Sequence, residues 1–409
     1  MKILAVNKYF YLKGGCETYY FALNKALKNK GHDIIHFSMK DEKNAWSPYE
    51  NYFVNNIDYY DKNILKRIRY AAKIIYSIEA KNKISSLIKD TNPQLAHVHN
   101  FYHQLSPSIL KEIKRNGIPI VFTAHDLKLI CPDYQMLNKG EVCDKCSGKK
   151  FYACTLNRCM KNSLSASLVS TAEMYLHSML KSFEAIDIII TPSMFYRNKF
   201  IEFGYSPEKV VHIPNFVDTK ANQPNYSSDG YIAYVGRLSK EKGIMTLIQA
   251  MKNVKNTDLY IVGDGPLKSD AERQIERYNL SNVKMLGFQT GKKLDAIIKN
   301  SRFTVIPSEW YENSPMSVFE SMSYGKAVIG SNIGGIPELI EHGKTGMIFE
   351  SKNSDQLAEQ INYLADNPKK AGEMGREARR KAELVYNKEN HFKSIEQIYR
   401  NLIIKRLPS

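Results

Sequence analysis

Short apolar runs alternate with longer helical patterns along the whole 409-residue chain. Segment 17–29 is typical of the helical patterns, because its apolar residues recur every three or four positions. In the first half the strand-like runs are residues 3–6, 34–37, 95–98, 118–122 and 186–190. Strands that alternate with single helices predict a parallel sheet with crossover helices.

The second half repeats the alternation, with strand-like runs at 231–235, 259–262, 283–286, 303–306, 327–329 and 347–349. The polar segment KANQPNYSSDG lies before them and has the composition of a linker. We therefore predict an α/β protein with two doubly wound, Rossmann-like domains facing across a cleft, at residues 1–219 and 231–387, joined by a linker at 220–230. A final helix within 388–409 could cross back to the first domain. Ligands bind at the carboxyl ends of such strands, so the cleft is the expected site.

Hydrophobic residues make up 43% of the chain, which is enough for two cores. No apolar run approaches the roughly 20 residues that span a bilayer. The first residues, MKILAVNKYF, lack a small-residue cleavage site, so they indicate a first strand and not a signal peptide. A cytoplasmic location is expected.

The formal net charge of +16 suits nucleic acid, anionic lipid or phosphorylated small molecules as partners. Segment 62–89 concentrates basic residues between isoleucines and predicts one or two amphipathic helices with a cationic face. This face is either solvated or docks on an anionic membrane surface, which would make the protein peripheral on the membrane's inner face. The cations expected to contact the lipid are Lys62, Lys66, Arg67, Arg69 and Lys73. No glycine and aromatic signature of RNA binding accompanies the charge, so nucleic acid is not an expected partner.

Glycine turns follow the first strand of each half. Gly14 and Gly15 precede a helix, where backbone amides and the helix N-terminus could face an anion, although an ordinary tight turn fits equally well. In the second half Gly236 opens the turn GRLSKEKG, in which Arg237 and Lys242 offer two cations for a diphosphate. The alternative for this turn is a surface loop with incidental basic residues.

Two further motifs follow in the second half. The turn formed by Gly263, Asp264, Gly265 and Pro266 would let a flat base lie against backbone. Glu312 then stands in a loop after a strand, and Glu320 lies inside the next helix in an E-x7-E pattern. Two such carboxylates can accept hydrogen bonds from the hydroxyls of one ligand.

Together, GRLSKEKG, GDGP, the E-x7-E pair and GKAVIGSNIGGIPELI resemble the donor domain of family-4 retaining glycosyltransferases of the GT-B fold. GGCET, HVHN, TAHD and IPNFVD extend the resemblance over nearly the whole chain. It implies an acceptor-side first domain and a nucleotide-sugar-binding second domain. It also implies sugar transfer from a nucleotide-diphosphate donor to a glycan or lipid-linked acceptor, with retained configuration, in cell-surface polysaccharide biosynthesis. No cofactor is then required for catalysis.

The resemblance also assigns residues. Arg237 and Lys242 would hold the diphosphate and Glu320 the ribose hydroxyls, while His125 would lie near the reacting carbon. Glu312 would meet the donor sugar and phosphate together with the backbone of Asn313, Ser314, Pro315 and Met316. Gly15 would face the diphosphate from the first domain, and the acceptor-side or core candidates are His97, His99 and Asn100. A sugar-nucleotide epimerase of the same fold, or a non-catalytic membrane- or nucleic-acid-binding relative, are the alternatives.

A cysteine-rich loop, about residues 131–159, departs from the plainest family pattern. It holds Cys143, Cys146, Cys154 and Cys159 in a C-x2-C-x7-C-x4-C spacing. In a reducing compartment this spacing favours a metal over disulfides, and structural zinc, unligated thiols and an iron–sulfur cluster are the open alternatives. Cys131 could replace one ligand.

Overall fold

The computed structural model describes residues 1–57 and 63–404. Its first half contains one parallel six-stranded sheet in the order β2-β1-β3-β4-β7-β8, and a two-stranded hairpin formed by β5 and β6. The strands are β1 (Lys2–Val6), β2 (Asp33–Phe37), β3 (Leu95–Val98), β4 (Ile120–Thr123), β5 (Leu137–Asn138), β6 (Glu141–Val142), β7 (Ile188–Thr191) and β8 (Val210–His212). Each residue of β3 and β4 is buried, as expected for central strands covered on both faces.

Helices cover both faces of this sheet, as the alternating pattern predicts. They are α1 (Gly15–Asn29), α2 (Ile64–Ile75), α3 (Ile78–Thr91), α4 (Ser108–Arg115), α5 (Tyr152–Leu156), α6 (Leu164–Met179) and α7 (Met194–Glu202). The basic segment predicted as one or two helices forms both α2 and α3. Ser77 separates them and caps α3, because its Oγ accepts a hydrogen bond from the amide of Ala80.

A second six-stranded parallel sheet follows, in the order β11-β10-β9-β12-β13-β14. Its strands are β9 (Tyr231–Val235), β10 (Asp258–Val262), β11 (Val283–Gly287), β12 (Phe303–Ile306), β13 (Ala327–Ser331) and β14 (Gly346–Phe349). Its helices are α8 (Ile244–Met251), α9 (Lys268–Arg277), α10 (Gly291–Asn300), α11 (Met316–Ser323), α12 (Ile336–Leu339), α13 (Ser354–Asp366), α14 (Pro368–Leu384) and α15 (Lys388–Ile404). Two doubly wound α/β sheets are thus present, as predicted.

The last helix, α15, follows the second sheet in sequence but packs on α1 of the first. The hydroxyl of Tyr399 lies 2.5 Å from His97 Nδ1, and Tyr19 Oη lies 2.9 Å from His391 Nε2. Residues 405–409 of the predicted helical segment lie outside the described residues. Within the described chain, no helix has the length and apolar character needed to cross a bilayer.

Each sheet reverses its strand order at one point, between β1 and β3 and between β9 and β12. In open α/β sheets, ligands bind beside such reversals at the carboxyl ends of the strands. The Gly14–Gly15 turn follows β1 and Asn100 follows β3, while Arg237 follows β9 and Glu312 follows β12. The fold therefore places the predicted motifs at the two expected positions.

Candidate active site

Two helix N-termini face each other across the cleft. A side chain at Gly15, where α1 begins, would lie 3.7 Å from Cγ of Met316, where α11 begins. Neither Gly14 nor Pro315 caps its helix with a side-chain hydrogen bond. The cap residues therefore leave the first-turn amides of both helices without a capping side chain, the carboxyl of Glu17 stands in the first turn of α1, and the positive ends of two helix dipoles point towards one place. Such a place suits a diphosphate.

The turn after β9 supplies cations to the same region. The exposed guanidinium of Arg237 makes no hydrogen bond or ion pair with residues 1–57 or 63–404. Lys242 Nζ, by contrast, pairs with Glu312 Oε1 at 2.5 Å. Burial lowers the pKa of Lys13 in the first domain, and the charge of Arg237 adds to that effect. Cations from both domains thus share the cleft.

Glu312 is buried in the loop after β12. Ser308 Oγ donates a hydrogen bond to its Oε1 at 2.7 Å, beside the ion pair with Lys242. Burial alone would raise the pKa of Glu312, but Lys242, Trp310 and Ser308 together outweigh it, and the pKa is lowered. Glu312 is therefore an ionised carboxylate whose Oε1 already has two partners in the protein, Lys242 and Ser308.

Glu320 has the opposite environment. Burial, and next the charge of Asp295 on α10, raise the pKa of its carboxyl to about 7. In the described part of the chain, the carboxylate has no hydrogen-bond donor or cation as a partner. A desolvated carboxylate without partners costs free energy unless a ligand supplies donors, and ribose hydroxyls are suitable donors.

The loop between Glu312 and α11 is tied to the first domain. Asn313 Nδ2 donates a hydrogen bond to the carbonyl of Ala124 at 2.9 Å, and Ser193 Oγ donates to Asn313 Oδ1 at 2.9 Å. Asn215 Nδ2 donates to the carbonyl of Ser314 at 3.0 Å. The side chain of Asn313 is therefore committed to the contact between domains.

Glycines let the site's turns approach one another. A Cβ at Gly263 would lie 1.8 Å from the carbonyl oxygen of Gly236, and one at Gly265 would lie 2.4 Å from that of Leu238. The turn that carries Gly263, Gly265 and Pro266 therefore packs directly on the turn that carries Arg237. This close packing requires glycine at both positions, whether or not a base lies beside them.

Sequence reasoning assigned no role to Gly334 and Gly335. A Cβ at Gly335 would lie 1.9 Å from the carbonyl oxygen of Asn313, and one at Gly334 would lie 2.4 Å from that of Glu312. The paired glycines in SNIGGIP thus support the loop that carries Glu312. The glycine pair itself was the available signal, because adjacent glycines after a strand indicate close backbone approach.

His125 lies at the end of β4, where its Nε2 is 3.0 Å from His99 Nδ1. The two rings stack, and Tyr19 meets the ring of His125 edge-on. Burial lowers the pKa of His125 to about 3, so its imidazole is neutral at pH 7. A neutral imidazole can donate or accept one hydrogen bond per nitrogen but carries no charge to a substrate.

His97 and His99 are each 1% exposed, a burial typical of core residues, which is one of the two alternatives for them. His97 is enclosed by Tyr399 and by Thr123, whose Oγ1 lies 2.7 Å from Nε2. Asn100 stays half-buried beside the cleft, and its Nδ2 lies 3.2 Å from the sulfur of Cys16. It joins the end of β3 to the glycine turn after β1.

Lys8 was also missed by sequence reasoning. It lies two residues after the end of β1, and its Nζ lies 3.2 Å from His103 Nδ1. Burial, together with the charge of Lys13, lowers the pKa of Lys8 to about 7. A lysine within two residues of the end of a buried strand at a reversal point was the signal that pointed to the cleft.

Comparison with known families decides the identity. Residues 13–221, more than half of the chain, match the family described as Glycosyltransferase Family 4, and residues 217–381 match Glycosyl transferases group 1. The chain belongs to glycosyltransferase family 4. Both halves of the transferase are thus covered by glycosyltransferase families.

Relatives agree along the full length of the transferase. It is 24% identical to a glycosyltransferase of Methanocaldococcus jannaschii over 93% of this chain and 94% of the other. It is 23% identical to N-acetyl-alpha-D-glucosaminyl L-malate synthase of Bacillus anthracis over 93% and 92% of the two chains.

Solved structures share the fold. Sucrose-phosphate synthase of Thermosynechococcus elongatus superposes with a TM-score of 0.72 at 18% identity, covering 99% of both chains. HepE of Anabaena, in complex with UDP-glucose, superposes with a TM-score of 0.70 at 17% identity, covering 98% of this chain and 100% of the other. The transferase therefore has the GT-B fold.

The cysteine-rich loop of the transferase brings five thiols to one small cavity of about 10 Å³, lined by Cys131, Cys143, Cys146, Cys154 and Cys159. The neighbouring thiol of Cys146 and burial raise the pKa of the Cys131 thiol, and the neighbouring thiol of Cys159 lowers the pKa of the Cys154 thiol to about 7. Among the described residues, no three His, Cys, Asp or Glu side chains converge as metal ligands do. This arrangement lends the zinc hypothesis no support.

The hairpin of β5 and β6 reaches the second domain of the transferase. Lys352 Nζ donates to the carbonyl of Gly140 at 3.0 Å and pairs with Glu141 Oε1 at 2.6 Å. Lys240 Nζ, in the turn that carries Lys242, donates to the carbonyl of Lys139 at 3.4 Å. The cysteine-rich loop thus contacts the donor-side turn directly.

Proposed function

We propose that this transferase moves a sugar from a nucleotide-diphosphate donor onto a glycan or lipid-linked acceptor in cell-surface polysaccharide biosynthesis. UDP is the first nucleotide to test. The carboxylate of Glu320, which has no partner among the described residues, carries the proposal, since it lies on the helix whose N-terminus faces Gly15. The bound UDP-glucose of HepE supports UDP as the nucleotide.

The departing diphosphate needs stabilisation as negative charge develops on it. The open guanidinium of Arg237, the ammonium of Lys242 and the N-terminus of α11 supply that charge from the protein itself. Preorganised groups of this kind contribute most in a cleft from which water is excluded. We therefore propose transfer that requires no metal ion.

Retention of configuration is the proposed stereochemistry. A covalent glycosyl intermediate needs a carboxylate that is free to attack the anomeric carbon. Glu312 is ionised, but Lys242 and Ser308 already engage its Oε1. Attack on the same face, with the leaving phosphate as the base, fits this arrangement, and His125 would hydrogen-bond the transferred sugar as a neutral imidazole.

Membrane docking through α2 is the proposed means of reaching a lipid-linked acceptor. Leu65 and Ile68 are 73% and 61% exposed, and Arg67 and Arg69 are exposed beside them. Exposed apolar side chains among cations are typical of helices that lie on anionic bilayers. Lys62, which was predicted to take part, lies outside the described residues.

Lys73 had also been expected to contact lipid, and its environment makes it a poor candidate. Its Nζ pairs with Glu79 Oε2 at 2.6 Å and donates to the carbonyl of Asn55 at 2.9 Å. The ammonium of Lys73 is therefore engaged at the start of α3, and the proposed contact is limited to the residues of α2 before it.

A panel of nucleotide sugars, screened by the shift in unfolding temperature, tests the donor proposal. A donor at 100 times its Kd stabilises the folded state by about 2.7 kcal/mol. The stabilising donor is then incubated with lipid-linked glycan acceptors and the product is followed by mass spectrometry. Conversion of the donor in the absence of any acceptor would indicate an epimerase and contradict the proposal.

A further inference from the structure

A second cavity lies in the first domain, away from the donor site. It has a volume of about 450 Å³ and lies between α6, the turn after α7 and residues 129–130, which follow β4. None of its lining residues belongs to the turns that carry Arg237, Glu312 or Gly15. Its volume is within the range of small-molecule sites, roughly 300–1,000 Å³.

The floor of this cavity is apolar and buried, and is formed by Leu129, Ile130, Phe151, Ile186 and Ile189. His177 also lines it, but both ring nitrogens have partners: Nδ1 lies 2.9 Å from Ser182 Oγ and Nε2 lies 2.6 Å from the carbonyl of Ile75. The hydroxyl of Tyr205 donates to the carbonyl of Leu129 at 3.4 Å. A sugar or base seated on this floor would leave its own polar groups unpaired, which is costly. The floor therefore favours an apolar chain.

The rim of the cavity is cationic. Three lysines, Lys149, Lys181 and Lys209, stand there with a single carboxylate, Glu184. Lys209 Nζ is held by the carbonyls of Glu184 and Ile186 at 3.5 and 3.3 Å. The ammonium groups of Lys149 and Lys181 are exposed and have no partner within the part of the chain that the structure describes. An anionic group at the rim would neutralise this excess of positive charge.

We propose that this cavity binds an amphiphile with one apolar chain and an anionic headgroup, a phosphate or a carboxylate. The chain lies on the floor, and the headgroup meets Lys149 and Lys181. Met179, 80% exposed and two residues before Lys181, and the exposed Tyr152, three residues after Lys149, provide apolar surface beside the rim. The site stands apart from the donor site and does not depend on the function proposed above.

Calorimetry with dodecyl phosphate below its micellar concentration tests the proposal on the full chain. We expect saturable binding of one molecule per chain, with no binding of dodecyltrimethylammonium, which keeps the chain but reverses the charge. Inorganic phosphate, which lacks the chain, is expected not to bind here. Dodecanoate in place of dodecyl phosphate shows whether a carboxylate also serves as headgroup.

Variants locate the binding. Ser178→Trp projects an indole from α6 into the cavity and is expected to weaken binding at least about tenfold, as overfilled sites exclude ligands. Leu168→Trp, on the exposed face of the same helix, is the matched control and should bind as the unmodified chain does. The double variant Lys149→Asn with Lys181→Asn should weaken binding about tenfold or more. Asparagine is chosen because both lysines have left-handed φ values, 62° and 53°, which asparagine tolerates.

Three results would overturn the proposal. These are no saturable binding, equal binding of the cationic amphiphile, and undiminished binding by Ser178→Trp. The unfolding midpoint of each variant shows whether it is folded. If Ser178→Trp fails to fold, Ser206→Trp on the rim takes its place, with the same loss of binding expected.

Discussion

Lys242 Nζ and Glu312 Oε1 form an ion pair of 2.5 Å, so the cation expected to hold the donor diphosphate is already paired with the carboxylate expected to meet the donor sugar. The donor must therefore share Lys242 with Glu312. Despite burial, the pair lowers the pKa of Glu312 and so keeps the carboxylate ionised. Substitution of Glu312 and substitution of Lys242 should therefore have opposite effects on the affinity for the nucleotide.

Glu312→Gln should free the ammonium of Lys242 and strengthen or preserve UDP binding, while turnover falls at least about tenfold. Lys242→Met should weaken UDP binding and also destabilise the fold by about 3–5 kcal/mol, because it leaves the Glu312 charge buried without its partner. Calorimetry with UDP and chemical denaturation measure both effects. Equal losses of UDP affinity in the two variants would contradict the shared role.

Glu320 should make nucleotide binding depend on pH. Its pKa is raised to about 7, so the folded state holds this proton more tightly than the unfolded state does, and stability falls as the pH rises from about 4.5 to about 7. Ribose hydroxyls need an ionised acceptor, so UDP affinity should rise over the interval around pH 7. Titrations with UDP from pH 5.5 to 8.5 measure this rise.

Glu320→Gln is the control for that titration, because it removes the charge and keeps the shape. UDP itself ionises over this pH range, and its contribution is subtracted first. The substitution should abolish the remaining pH dependence of UDP affinity. It should also stabilise the ligand-free protein above pH 7, by at most about 3 kcal/mol. An unchanged pH profile in this variant would assign the dependence to another group.

The hydrophobic pattern predicted most strands of both sheets, because central parallel strands are apolar on both faces. It did not predict β8, a three-residue strand whose sequence is too short to show a period. Nor did it show that Cys131 and Cys146 line one cavity, since that depends on how the hairpin and α5 fold over each other. The spacing of the cysteines matches that of a metal site, but the described side chains do not converge as metal ligands do.

Some residues of the candidate site could be predicted from their type, and others show a role only in the folded chain. Arg237, Glu312 and Glu320 were predicted because charge indicates chemistry directly. Gly334 and Gly335 were missed because their contribution is the room they leave for the backbone of the donor loop. The ion pair of Lys73 was not predicted, because its partner Glu79 lies in the next helix, at a turn that the basic pattern did not show.

Gly335→Ala should impair the donor loop. The added methyl group would lie 1.9 Å from the carbonyl oxygen of Asn313, so the loop must shift and take Glu312 with it. We expect turnover to fall at least about tenfold, since small displacements of positioning groups have large effects on rate. Gly372→Ala is the control: nothing lies within 4 Å of its new methyl group, and within α14 it should stabilise the protein by about 0.5–1 kcal/mol.

Tyr399→Phe tests the core role of His97. It removes the hydroxyl that lies 2.5 Å from His97 Nδ1 and leaves that nitrogen buried without a partner, at a cost of about 1–3 kcal/mol in stability. Donor affinity should not change, because the His97 ring contacts Tyr399, Thr123 and His99, and none of them belongs to the turns that carry Arg237 and Glu312. A change in acceptor KM without a loss of stability would instead place His97 at the acceptor.

Membrane docking through α2 depends on the solvent-exposed guanidinium groups of Arg67 and Arg69. Each Lys or Arg near an anionic surface contributes about 1 kcal/mol, and the exposed side chains of Leu65 and Ile68 add apolar burial. Arg67→Gln with Arg69→Gln should therefore reduce co-sedimentation with vesicles that contain phosphatidylserine by at least about tenfold. The matched control is Lys25→Gln with Lys28→Gln, which removes the same charge from α1.

The two double variants separate local docking from overall charge. If the net charge of +16 alone attracted the vesicles, both pairs of substitutions would weaken sedimentation equally. If α2 docks, only the substitution of the two arginines weakens sedimentation. Binding by the unmodified chain is then lost above roughly 0.5 M salt, where the screening length is only a few ångströms. Leu65→Ser, which keeps every charge, should also weaken binding, because part of the attraction comes from apolar contact with the bilayer. Retained binding by the arginine variant would show that the exposed face of α2 is simply solvated.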